Sequence, residues 1–440
     1  MPESQDNEVS FDVIYALENE NREILATSSA KAKLGELSLM IEPVNGNDLS
    51  ISYTDIVDIS DEDYIVKMLL SSRDEVTLSQ IGYEYENFLI TLYKLRNELY
   101  LKYLLMNEGL RAAQIEASFS YTINTGDEFK GLCEARLFDS ALVILPQKNK
   151  PVRIPYCYIN GVKEEAFSII VETELGERLT LTQLGEKRDF LRRSLSEAMS
   201  KLSLRAQGII GEIQPQLDTM KKRKLSELMK DGRAAERAEV DKITPEFWSL
   251  LEAKVRTMGL TESYDFLRDL SQRDRISLGV KRSLSDKEEE DYVWFLIPIY
   301  SDDPHAPGNA VALEATTGVD EGRATYFFRI LDRGEYSIGK DLSTLHSCYK
   351  EFLATINRCM IEINFRREPI YLTIDQLNDP KYVHYRFAAQ EISSLQKLRA
   401  LFIGRVMHYN PDQWRSDVNS LLSFNVNEKS EDRKWEKGAD

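Results

Sequence analysis

One stretch of this chain occurs twice: Leu34 to Gly82 aligns with Leu137 to Gly185 at a constant offset of 103, without a gap. Twelve of the 49 positions are identical, among them Leu39/Leu142, Pro43/Pro146, Tyr53/Tyr156, Gln80/Gln183 and Gly82/Gly185. Most other pairs keep their apolar character, as in Met40/Val143, Val66/Ile169 and Tyr64/Phe167. Apolar spacing decides which side chains face a core, so a repeat that keeps the spacing keeps the fold. Almost every shared residue is apolar or turn-forming, and no catalytic set is visible among them. The repeat constrains architecture strongly and activity very little.

In the first copy, alternating runs bounded by Gly, Asn and Asp predict an antiparallel meander. The strands expected are Ser10–Tyr15, Glu23–Thr27, Leu34–Ile41, Leu49–Tyr53, Asp55–Ile59, Tyr64–Leu70 and Glu75–Leu78. From Ser79, the expected N-cap, the period turns helical through Phe88, Leu92, Leu95, Leu99, Tyr103 and Met106. The second copy repeats the order: Ala117–Thr122, Phe129–Cys133, Ala135–Leu145, Val152–Tyr156, Tyr158–Val162, Phe167–Thr173 and Arg178–Leu181. Thr182 then opens a helix carrying Leu191, Leu195, Met199, Leu202 and Ile209. Each helix runs to about 25 residues, roughly 38 Å, about twice what closing a small sheet needs. The surplus apolar face must be buried against the other repeat, against the helices of 213–272, or in a coiled-coil-like contact with another chain.

Seven antiparallel strands closed by a C-terminal helix, twice over, resemble the pleckstrin-homology-like (PH-like) superfold. The resemblance covers residues 8–212 and implies two β-rolls, 8–109 and 110–212. It also implies a module that binds phospholipid head groups, peptides or proteins. Some histone chaperones carry tandem PH-like domains; the acidity of this chain would suit a basic partner, and the chain has no long acidic tail. Lipid recognition by such rolls uses basic residues in the first strand-to-strand turn. Here those turns, Glu18-Asn-Glu-Asn-Arg-Glu23 and Asn124-Thr-Gly-Asp-Glu128, are acidic.

Residues 213–272 read as a helical connector. Thr244-Pro245-Glu246 is a helix start, with proline at the first helical position. Residues 273–426 read as a C-terminal α+β domain with strands at Ile276–Arg282, Tyr292–Tyr300, Ala310–Ala315 and Ala324–Ile330. Val293-Trp-Phe-Leu-Ile297 is apolar on both faces and predicts a central strand covered on both sides. Long helices are expected over Leu342 to Ile363 and Tyr385 to His408, then a short one near Asp412–Leu422. The tail, 427–440, is charged and expected to fray. The whole is α+β; the last domain could be a diverged third roll, although it has no gapless match to the first two.

Net charge is −17 and the pI about 5.0, which disfavours whole-chain binding to nucleic acid or an anionic membrane. No signal peptide or membrane-length apolar run is present, so the expected location is the cytoplasm. Cys133, Cys157, Cys348 and Cys359 lack the paired spacing of a zinc site and read as reduced thiols. The strongest basic cluster is Lys221, Lys222, Arg223 and Lys224, extended by Lys230, Arg233 and Arg237. It is a candidate patch for nucleic-acid phosphates or an acidic protein, although interspersed acids equally suit a solvated helix face. Asp302, Asp303 and His305 offer oxygen and imidazole ligands in a Pro- and Gly-rich loop, but no second ligand cluster joins them. Dinucleotide, Walker, nucleophile-elbow, H-E-x-x-H and EF-hand motifs are absent. The reading is a non-enzymatic interaction protein, without cofactor or metal, that binds a protein or peptide partner through its rolls. An extended segment would join a strand edge or the groove beside the closing helix. The alternatives are hydrolase-type or metal-dependent activity in the C-terminal domain, and nucleic-acid association through 221–237. Oligomeric state is not legible.

Overall fold

The computed structural model describes residues 9–104, 108–282, 291–301, 306–316, 323–332, 335–336 and 341–427. Two units are separable, Met1–Ser196 and Glu197–Asp440. The fold is α+β, with three antiparallel sheets among the described residues.

The first unit holds two seven-stranded sheets, each curled into a roll. The first contains β1 (Val9–Glu18), β2 (Ile24–Leu34), β3 (Ser38–Pro43), β4 (Leu49–Ser52), β5 (Ile56–Glu62), β6 (Ile65–Leu70) and β7 (Glu75–Ser79), and helix α1 (Tyr85–Leu104) follows it. The second contains β8 (Leu110–Thr122), β9 (Glu128–Phe138), β10 (Ala141–Pro146), β11 (Val152–Pro155), β12 (Ile159–Glu165), β13 (Ser168–Thr173) and β14 (Arg178–Thr182), followed by α2 (Lys187–Ile213). The strand orders match: β4-β3-β2-β1-β7-β6-β5 and β11-β10-β9-β8-β14-β13-β12. In each, the first strand pairs with the last, leaving the fourth and fifth as edges.

The two copies agree down to single bonds. The Tyr53 hydroxyl donates to the Gly35 carbonyl at 2.9 Å, and that of Tyr156 to the Phe138 carbonyl at 3.0 Å. Each tyrosine opens a 3-10 turn, and a bulge follows in the fifth strand of each sheet, at Ile56/Asp58 and Ile159/Gly161. The corner from last strand to helix is also shared: Gln80 and Gln183 both lie at φ +58°, with Gly82 at +70° and Gly185 at +51°. A left-handed glutamine costs roughly 1–2 kcal/mol, so its retention in both copies marks a corner the fold requires. Ser79 and Thr182, expected to cap helices, end strands instead, and the helices begin at Tyr85 and Lys187. The runs expected as single third strands, Leu34–Ile41 and Ala135–Leu145, are each split by a tight turn, at Gly35–Leu37 and at Asp139–Ser140. Gly35-Glu36 and Asp139-Ser140 are the turn signals there, set between apolar residues close on either side.

The first core takes alternate residues of each strand, such as Phe11, Val13, Ala32, Ile41, Val66 and Leu78. Phe88, Leu89 and Leu92 of α1 close it, with Phe88 edge-on to Phe11 at 5.1 Å.

The second unit begins within α2 and continues through α3 (Thr219–Met229), β15 (Ala235–Glu236), α4 (Arg237–Asp241), α5 (Pro245–Val255) and α6 (Thr261–Asp269). Strands β16 (Ser277–Arg282), β17 (Asp291–Ile299), β18 (Ala310–Thr316) and β19 (Ala324–Arg329) come next. The remainder is α7 (Leu342–Glu362), α8 (Glu368–Tyr371), α9 (Ile374–Leu377), α10 (Val383–Glu391), α11 (Ser393–Leu401), β20 (Phe402–Met407) and α12 (Pro411–Asn427). The sheet runs β15 to β20 in chain order, and among the described residues it lacks the first-to-last pairing of the rolls. β17 is central and buried on both faces. Val293, Phe295 and Ile297 meet residues of α3, α5, α6 and α12 in one core. Trp294, on the opposite face, packs edge-on against Phe365. The segment 213–272 is thus part of this core. The helix expected over Tyr385 to His408 is divided: Ile392, at ψ 107°, separates α10 from α11, and residues 402–407 form β20 beside β19. Pairing with β19 outweighs helical spacing there.

Candidate functional site

Helix α1 makes contacts on two sides. One closes its own roll; the other, along Glu86, Ile90, Asn97, Glu98 and Leu101, lies on the second roll. These positions are four, seven, one and three residues apart in turn and fall on one side of the helix. Lys148 pairs with Glu86 at 2.6 Å, and Asn97 Nδ2 donates to the carbonyls of Asn149 at 2.9 Å and Pro146 at 3.4 Å. Arg136 bonds both Glu98 carboxylate oxygens, at 2.6 and 2.9 Å. Leu101 is buried with Phe138, Val143 and Leu145. The surplus length of this helix is therefore buried within the chain, against the other repeat.

Between this side of the helix and β8, β9 and β10 runs a cleft of about 470 Å³, floored by Glu116, Cys133, Glu134, Pro146, Gln147 and Gln183. A second cleft, of about 550 Å³, lies on the first roll, floored by Asp12, Ala30, Lys31, Pro43, Val44 and Gln80. The two floors are the same place in each copy, residue for residue: Ala30 corresponds to Cys133, Lys31 to Glu134, Pro43 to Pro146, Val44 to Gln147 and Gln80 to Gln183. The backbone bond at its rim is duplicated as well, from the Val44 amide to Ser29 at 2.9 Å and from the Gln147 amide to Leu132 at 3.0 Å. The groove is thus built by the fold, and α1 roofs it on the second roll only.

The two grooves differ in charge. In the second, Arg136 is shared between Glu98 and Glu134. The hydrogen bond from Arg136 holds the Glu134 carboxyl below the ordinary carboxylate range, against the opposing effect of burial. Burial pushes the Cys133 thiol up to about 12, so this cysteine is not an activated nucleophile. In the first groove, Lys33 pairs with Glu42 at 2.6 Å. Lys31 is exposed and makes no ion pair among the described residues, and Val44 is 74% exposed.

The groove beside α1 on its own roll is less open to an extended segment than the sequence reading expected. Carbonyls of β5 already accept from side chains: Ile56 from Arg96 at 3.0 Å, Val57 from Lys150 at 3.0 Å and Ile59 from Tyr93 at 3.3 Å.

The basic cluster lies on α3, whose N-terminus Asp218 caps through the Lys221 amide. Lys221, Arg223 and Lys224 are exposed and Lys222 is half-buried, while Leu225 and Met229 turn inward. Its proposed extension is partly neutralised, Lys230 by Glu227 at 2.9 Å and Arg237 by Asp241 at 3.3 Å. Asp302, Asp303 and His305 lie outside the described residues. No group of three or more metal-ligating side chains occurs among those described, nor does a helix long and apolar enough to cross a membrane. None of the four cysteines forms a disulfide among the described residues.

A fully buried carboxylate escaped the sequence reading. Glu314 accepts from Ser263 at 3.0 Å and from Thr325 at 2.9 Å, with His408 Nε2 at 3.3 Å. Thr325 in turn accepts from Trp414 Nε1 at 3.2 Å, and its oxygen is 3.0 Å from His408 Nε2. The Ser263 hydroxyl also lies 3.3 Å from the Leu260 carbonyl. The cluster borders a cleft of about 390 Å³. Its signal in the sequence was a lone acid inside the apolar run Ala310-Val-Ala-Leu-Glu-Ala315.

No protein-family model matches the chain, and no curated protein matches it. A solved structure of the Spt16D Pob3N heterodimer is similar at 18% identity, over 38% of this chain and 83% of that one, with a TM-score of 0.16. A likeness at that TM-score transfers neither fold nor role.

Proposed function

We propose that this chain is a non-enzymatic interaction protein whose two rolls are PH-like modules, spanning 8–109 and 110–212, that bind a protein partner. The C-terminal α+β part, 273–426, and the helices of 213–272 serve as its scaffold. One observation carries the reading: both rolls build the same groove, and on the second roll a polypeptide helix occupies its rim. A surface that already holds protein inside the molecule is suited to hold it from outside. First-to-last strand pairing and the closing helix support the PH-like assignment. Lipid capture is disfavoured because the β1–β2 turn is acidic and wired to itself, Asn19 Oδ1 accepting from the amides of Asn21 and Glu23.

Affinity recovery of the tagged full chain from its native cells, with and without nuclease, tests this reading. The expected result is a specific protein partner that survives nuclease and is retained when Lys221, Lys222, Arg223 and Lys224 are all changed to Gln. Recovery that collapses with nuclease, or with that variant, would favour nucleic-acid association through α3. The Glu314–His408 pair beside its cleft is the one observation on the side of an enzyme. A hydrolase activity abolished by Glu314→Gln in a folded protein would overturn the non-enzymatic reading.

A further inference from the structure

The two grooves are the same surface in different states, which specifies what the open one accepts. On the second roll the occupant is a helix, and two of its polar contacts come from neighbouring residues. An amide donates to the Pro146 carbonyl, and a carboxylate one residue later reaches the cation on β9. On the first roll the corresponding features are Pro43 and the cations of β2, Lys33 and Lys31. Three differences mark the open groove. Lys31 replaces Glu134 and Glu42 replaces Leu145; with Glu42 held by Lys33 at 2.6 Å, Lys31 is the cation a partner's carboxylate would meet. Val44 replaces Gln147, so the rim is apolar and exposed.

We propose that the groove floored by Lys31, Pro43 and Val44 is a docking site for an amphipathic helix of another protein. That helix sets an amide beside a carboxylate on its binding face and an apolar residue against Val44. The proposal rests on the reading of the rolls as partner-binding modules and names the partner's form. A second copy of this chain is a poor occupant on grounds of charge. Helix α1 is already engaged by its own second roll, leaving α2 as the equivalent helix. At the 103-residue offset, α2 places Arg193 where α1 has Ile90, and Lys201 where α1 has Glu98. Lys201 would then face Lys33 and Lys31, a like-charge contact.

A photo-cross-linking amino acid, benzoylphenylalanine, placed at Val44 of the full chain in its native cells tests this assignment. The same probe at Gln147 is the internal reference. At Gln147 the expected product is an intrachain link to α1. At Val44 it is a link to a segment of a different protein whose sequence has helical apolar spacing and an Asn or Gln beside an Asp or Glu. Lys31→Glu should lower the Val44 yield at least tenfold, and Lys31→Ala should lower it in the same direction. Changing the partner's acid to Lys should restore yield in the Lys31→Glu background. Links from Val44 to a second copy, to nucleic acid or to an extended segment would each overturn the proposal. So would the absence of any link, or a yield indifferent to both Lys31 variants. If a nuclease-resistant partner is still recovered while Val44 links to nothing, the interaction reading stands and the groove assignment falls. If neither is obtained, both fall.

Discussion

At the scale of single residues, the repeat can be tested by asking whether equivalent side chains have equivalent worth. Tyr53→Phe and Tyr156→Phe each remove one hydroxyl bond to a backbone carbonyl at the same corner. Each should cost about 1 kcal/mol, read as a lowered urea midpoint, and the two losses should agree within a few tenths. Glu134 gives a pH-dependent test. Its carboxyl is held low mainly by Arg136, so it adds stability that is complete above the unfolded carboxylate pKa of about 4.3. That contribution is lost as pH falls through the lower folded-state value. Urea midpoints collected across the acid range should therefore fall less steeply for Glu134→Gln than for the parent. The paired tyrosines and the Gln–Gly corner were visible as identities in the sequence. Their left-handed backbone was not, because nothing in a glutamine's identity announces a positive φ.

At the scale of elements, α1 is the part whose length made sense only in the structure. Its surplus turns are buried because one side closes the first roll and another lies on the second. Leu101→Ala empties a site shared with Phe138, Val143 and Leu145, and should destabilise the chain by about 2–4 kcal/mol. Asn97→Ala strands two carbonyls under the helix and should cost about 1–3 kcal/mol. Cys133 reports on the same contact: buried in the folded chain, it should resist a thiol reagent, and label several-fold faster in Leu101→Ala. Element boundaries were legible where polar turns interrupted the pattern and illegible where they did not. Leu395, Leu398, Phe402 and Val406 fit helical spacing, yet the last two sit in β20, because an unpaired β19 edge accepts them.

For the molecule as a whole, duplication was readable at once, whereas the duplicated groove was not. Its floor draws on β1, β2, the end of β3 and the corner after β7, residues far apart in sequence that only the closed sheet assembles. At the key positions the copies differ in chemistry: Val44 against Gln147 is a mismatch within the alignment, and Lys31 against Glu134 lies before its start. The same divergence separates a groove satisfied from within from one that is open. Packing in the second unit is similarly specific. Gly279→Ala would bring a Cβ within 2.2 Å of Trp294 Nε1 and 2.6 Å of the Gly232 carbonyl. This should cost about 1–3 kcal/mol, seen as a lowered melting temperature.

Hydroxyl-radical footprinting of the assembly recovered from native cells, compared with the isolated chain, tests the central claim most directly. Pro43 and Val44 should be oxidised in the isolated chain and protected at least severalfold in the assembly, with Leu145 and Pro146 protected in both. Unchanged oxidation at Val44, with protection appearing instead on α3 or around His408, would contradict it.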